Sequence, residues 1–130
     1  AHPALKLIRQ QHQHRIVHDG YASTREAYCA LLEASDFIIH QPVQEYFGVS
    51  VAEAMSFGVM PILKSDQAYL SWVPEDFLFE GPEEMITKWK HWLQHIDQGR
   101  TRANATASQF YWPRVAQAAY NELKLRFQLN

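Results

Sequence analysis

A single cysteine, Cys29, stands in 130 residues, so no disulfide can form within the chain. A lone thiol in an apolar helical stretch reads as a small buried side chain, and the scarcity fits a reducing, cytoplasmic setting. No apolar run approaches the ~18 residues that a bilayer-crossing helix needs, and the first residues do not resemble a secretion signal. No basic block is present either. Twelve Lys and Arg against fourteen Asp and Glu give a net charge of −2, which argues against a nucleic-acid platform made by this segment alone. Repeats, low-complexity tracts and internal linkers are also missing. With 47% hydrophobic residues the chain is not disordered, and its length suits one domain. It begins Ala1-His2-Pro3 without Met. We therefore expect residues 1–130 to be one domain, truncated from something longer.

What is present alternates between helix and strand patterns. Residues 4–13 read as a short helix and Arg15-Ile16-Val17-His18 as a strand closed by the turn pair Asp19-Gly20. Ser23-Thr24-Arg25-Glu26 has the form of a capping box, and Tyr28, Leu31, Leu32 and Ser35 recur on one face of the helix after it. Residues 36–40 form a nearly all-apolar second strand, as a strand covered on both faces should be. A third strand spans 59–63, with Pro61 expected at its start or at a bulge because it lacks a ladder donor. Residues 77–79 are a candidate fourth. Met85, Ile86, Trp89, Trp92, Leu93 and Ile96 trace a helical stripe running to Gly99, and Trp112-Pro113 opens a last helix. The apolar stripe of that last helix is Trp112, Val115, Ala116, Ala119, Tyr120, Leu123 and Phe127. The pattern implies an α/β fold, a Rossmann-like parallel sheet of three to four strands flanked by helices, with a helical C-terminus. Ligands bind such sheets at the carboxyl ends of the strands, where the loops holding Gly20, Pro42–Glu45 and Ser65–Tyr69 emerge.

Chemistry concentrates in the run from Glu45 to Gly58. Glu45 and Glu53 lie eight residues apart and bracket Phe47-Gly48, with a helix expected to start near Gly48 or Ser50 and to end at Gly58. Unpaired N–H groups at a helix start favour anions, so Phe47, Gly48 and Val49 are candidate backbone donors. An isolated pair of acids is usually solvated surface; the ordered neighbours give this pair meaning. Ser50 lacks the Gly-x-Ser-x-Gly elbow of a nucleophile and reads as a helix cap. His91 and His95 have the i, i+4 spacing of metal ligands, yet no acid lies between them to complete a site, and we expect no metal. Gly20 follows a strand and reads either as a plain turn or as a ligand-facing loop.

The order Glu45, Phe47-Gly48, Glu53-Ala54, Gly58 and Met60-Pro61-Ile62 resembles the donor-site signature of retaining GT-B glycosyltransferases of the glycogen-synthase-like kind. His18-Asp19-Gly20-Tyr21, Ser35-Asp36 and Gln44-Glu45-Tyr46-Phe47-Gly48 are similar to the tRNA-queuosine mannosyltransferase-like branch, although that branch is expected to show His where Gln44 stands. The resemblance covers roughly residues 15–125. It implies that this is the C-terminal, donor-binding half of a two-domain enzyme that needs no cofactor or obligatory metal. By position, Glu45 is the catalytic candidate and contacts sugar hydroxyls, Glu53 holds the ribose hydroxyls, and Phe47, Gly48, Val49 and Gly20 complete the donor site. The implied donor is GDP-mannose and the implied acceptor queuosine in tRNA, reached only through the full-length protein and its missing N-terminal domain. The diphosphate-binding Arg and Lys of the family find no match in Lys6, Arg9, Arg15 or Arg25. The chain alone is expected to lack turnover, to have no membrane partner, and to self-associate through its last helix. The alternative is a free-standing binding or interaction module that kept the fold and lost the chemistry; a GT-B member with a small-molecule or lipid acceptor is a third reading.

Overall fold

The computed structural model describes residues 3–40 and 47–127. Its centre is a three-stranded parallel sheet in the order β1 (Phe37–His40), β2 (Met60–Lys64), β3 (Leu78–Phe79). Around it lie α1 (Pro3–His12), α2 (Arg25–Glu33), α3 (Val49–Ser56), the short α4 (Gln67–Leu70), α5 (Pro82–Leu93), α6 (Ile96–Ala107) and α7 (Trp112–Phe127). The α/β class and the parallel, helix-flanked sheet are as the alternating pattern implies.

β2 is the spine. Met60, Pro61, Ile62 and Leu63 are fully buried and pack with Val51 and Met55 of α3, Tyr69, Phe77 and Trp92. Pro61 sits inside the strand, and the ladder shows why it is tolerated. Met60 N–H donates to the Asp36 carbonyl, so the ring of the next residue turns away from β1, toward the side where β3 begins pairing only at Leu63. No ladder bond is lost. Trp92, 2% exposed, donates its indole N–H to the Asp76 carbonyl at 3.1 Å, which satisfies the one polar group that its burial would strand.

The structure departs from the sequence pattern at several points. Residues 15–18 form no strand: Gln13–Arg15 is a 3₁₀ turn, Ile16 N–H returns to the Gln13 carbonyl, and Val17 is 93% exposed. An apolar run becomes a strand only when it pairs with a neighbouring edge, and among the described residues β1 pairs only with β2. The stripe expected to continue to Gly99 breaks at Gln94, and a separate helix, α6, starts at Ile96 with Gly99 inside it. The helix after the capping box uses Thr24, not Ser23, as its cap: Thr24 Oγ1 accepts from Ala27 N–H at 3.0 Å. Of residues 77–79, Phe77 belongs to a 3₁₀ turn and Leu78–Phe79 forms the strand. In α7, Val115, Tyr120, Leu123 and Phe127 remain exposed. The side chain of Trp112 is outside the described set.

α3 ends as the sequence pattern implies. Gly58 adopts φ +78°, its N–H donates to Met55 O at 2.9 Å, and Val59 N–H donates to Ala54 O at 3.2 Å. This crossed pair is a Schellman closure, and it needs the left-handed residue to be glycine. Gly58→Val is expected to destabilise the chain by about 1–3 kcal/mol through strain at that residue, read as a lower midpoint in urea unfolding with unchanged slope.

Candidate functional site

The N-terminus of α3 is built around Gly48, its N-cap residue, at φ 87° and ψ 48°. The Gly48 carbonyl accepts from Ala52 N–H at 3.0 Å, and Gly48 has no side chain to cap this helix end. The first-turn donors therefore start at Val49, one residue into the helix, and Val49 and Ser50 are exposed. Ser50 is the second helical residue and does not act as the cap.

Three aromatic groups fix this turn. The Phe47 carbonyl accepts from Trp72 Nε1 at 3.2 Å, the two rings stack with centroids 5.4 Å apart, and Phe110 meets both edge-on at 5.0 and 5.1 Å. Behind them Tyr69, fully buried, lies against Gly48 and shares a 2.7 Å hydrogen bond with His40 Nδ1 at the carboxyl end of β1. The end of β1, α4 and the start of α3 are thus tied through one phenol, which places the helix N-terminus at the carboxyl edge of the sheet.

Glu53 lies one turn further on the same helix. Its Oε1 accepts from the guanidinium of Arg25, the first residue of α2, in a short ion pair. The Arg25 guanidinium also sits 5.5 Å from the centre of the Tyr28 ring. The hydrogen bond it donates to Glu53, and then the carboxylate's charge, hold Arg25 more firmly protonated than an isolated arginine. Burial pushes the Tyr28 hydroxyl above its ordinary value, and the adjacent Glu53 carboxylate pushes it further.

Phe47, Val49 and Glu53 line one cleft of about 450 Å³, closed on the other side by Asn104, Phe110 and Tyr111. Its size and mostly apolar wall with a few polar groups fit a small-molecule site. Asn104 also donates to the Ser56 carbonyl at 2.8 Å and so holds α6 against the end of α3. Gly20 is not among the residues lining this cleft. It sits in the 16–22 loop at φ 104°, with its carbonyl 2.9 Å from the His18 ring. Glu45, with Gln44 and Tyr46, lies outside the described residues.

Of the other polar candidates, Arg9 pairs with Asp19 at 2.5 Å, away from Glu53. The rings of His91 and His95 stack at 4.5 Å, and His95 Nδ1 lies 2.8 Å from the His91 carbonyl. Among the described residues no three His, Cys, Asp or Glu side chains are grouped to hold a metal ion, and none of the helices is long and apolar enough to cross a membrane. Arg25 is the residue that sequence reasoning passed over, since its partner is 28 positions away. No family model matches the chain, and no solved structure matches it.

Proposed function

We propose that the chain is the nucleotide-sugar-binding part of a retaining glycosyltransferase, its sheet the core of a Rossmann-like GT-B donor domain. One observation carries this reading: Phe47, Val49 and Glu53, singled out by the sequence motif, line a single cleft at the N-terminus of α3. The chemistry suits a ligand with both hydroxyls and a diphosphate. Exposed N–H groups at Val49 and Ser50, with the positive end of the helix dipole, complement phosphate oxygens. The Glu53 carboxylate accepts from ribose hydroxyls in charge-assisted bonds. Glu45, by resemblance, contacts the sugar. The donor we propose is GDP-mannose, the acceptor queuosine in tRNA engaged through an N-terminal domain, and the setting cytoplasmic. The exposed stripe on α7 supports a contact with that domain or with another copy. Transfer then awaits the acceptor domain, because orienting donor and acceptor can contribute ~7–11 kcal/mol of the barrier.

Calorimetric titration with GDP-, UDP- and ADP-sugars tests the reading. One nucleotide series is expected to bind in preference, and Glu53→Gln should weaken the nucleoside diphosphate and its sugar conjugate alike, by roughly 10–150-fold, the equivalent of ~1.5–3 kcal/mol for a hydrogen bond to a charged group. The pairing of Glu53 with Arg25 favours the second reading, a binding module without chemistry, in which the carboxylate is only structural. Absence of binding by every nucleotide sugar would support that module and sink the donor site.

A further inference from the structure

Glu53 does not stand alone on α3. α2 presents Arg25 and, one turn on, Tyr28 to it, and the side-chain cap of Thr24 fixes where α2 begins and hence where the guanidinium sits. The acid is the more sheltered partner: its side chain is 25% exposed against 63% for Arg25. The guanidinium is bonded to Oε1. Tyr28, one turn along α2, backs the guanidinium, which sits 5.5 Å from the centre of its ring.

Resting on the donor-site reading, we infer that Arg25, seated against Tyr28, is a positioning residue for Glu53, fixing its carboxylate with one oxygen presented to a ribose hydroxyl, so that α2 contributes to selection of ribonucleotides. Neither residue needs to touch the ligand. An exposed ion pair adds little to fold stability, so removing Arg25 should leave the melting temperature close to that of wild type while changing how the carboxylate meets its ligand.

The test is a double-mutant cycle on the full chain, by calorimetric titration with GDP, UDP and ADP and with the 2′-deoxy form of whichever binds most tightly. Arg25→Met is expected to weaken the ribonucleotide about tenfold, a coupling common between touching residues, and to affect the deoxynucleotide less. Arg25→Lys should recover part of the loss, and Arg25→Met with Glu53→Gln should bind no worse than Glu53→Gln alone. Tyr28→Phe should show a smaller loss of the same kind. Unchanged binding by Arg25→Met, or a full extra loss on top of Glu53→Gln, overturns the positioning role while leaving the donor site standing. A wild-type chain that binds none of the three diphosphates removes the donor site and this role together.

Discussion

Gly99→Val is expected to lower the stability of the chain sharply. A Cβ at this position would lie 2.2 Å from Met60 Sδ and 2.8 Å from the Trp92 ring. Both neighbours are fully buried side chains, one on the central strand and one on α5, so neither has space to retreat. Overpacking a tight core costs about 1–3 kcal/mol and sometimes more, and the branched valine meets two immovable walls at once. We expect a loss above ~3 kcal/mol, against a total that is only ~5–15 kcal/mol for a typical domain. Urea unfolding followed by circular dichroism reads it. Gly81→Ala is the control, since nothing lies within 4 Å of a Cβ there. A Gly99→Val chain with a wild-type midpoint would show that α6 does not approach β2 as described.

Gly48→Val is expected to be nearly as damaging, and for two reasons that add. The residue holds φ +87°, a region that a β-branched side chain occupies only at about 1–3 kcal/mol of strain. A Cβ there would also come within 2.5 Å of Tyr69 Cε1, a ring pinned by full burial and by His40. The motif alone made this glycine a backbone donor of the ligand site. The packing on Tyr69 makes it a folding requirement first. Gly48→Asn separates the two terms, because asparagine tolerates the left-handed backbone but still carries a Cβ. If Asn destabilises as much as Val, contact with Tyr69 dominates; if Asn is close to wild type, backbone strain does. A stable Gly48→Val chain that merely fails to bind nucleotide would return the residue to a purely ligand-facing role.

These two glycines mark where sequence reading works and where it stops. Gly48 and Gly58 were legible because they punctuate a helix at its two ends, and the spacing between them sets the length of α3. β1, β2 and the fragment at Leu78–Phe79 were legible as short apolar runs. α6 was not, because the face it buries consists of Gly99, Ala103 and Ala107. Small residues at i, i+4, i+8 let two helices approach closely but carry no hydrophobic signal, while the large residues that surround them belong to other elements. The strand expected at 15–18 had the right side chains but pairs with no strand of the described sheet. In the site, Glu53 was found by its place after Phe47-Gly48. Arg25 was missed because the contact joins two helices across the sheet edge; the only local sign was an Arg and a Tyr three apart on one helical face.

The central claim, that a nucleotide sugar enters the cleft at the start of α3, is tested most directly by amide chemical shifts of the ¹⁵N-labelled chain during titration with GDP-mannose. We expect the largest shifts at Val49, Ser50 and Glu53, with smaller ones at Asn104 and Tyr111 across the cleft, all lost in Glu53→Gln. Shifts confined to α5 or α7, or no shifts at ligand concentrations that saturate the wild-type calorimetric signal, would contradict it.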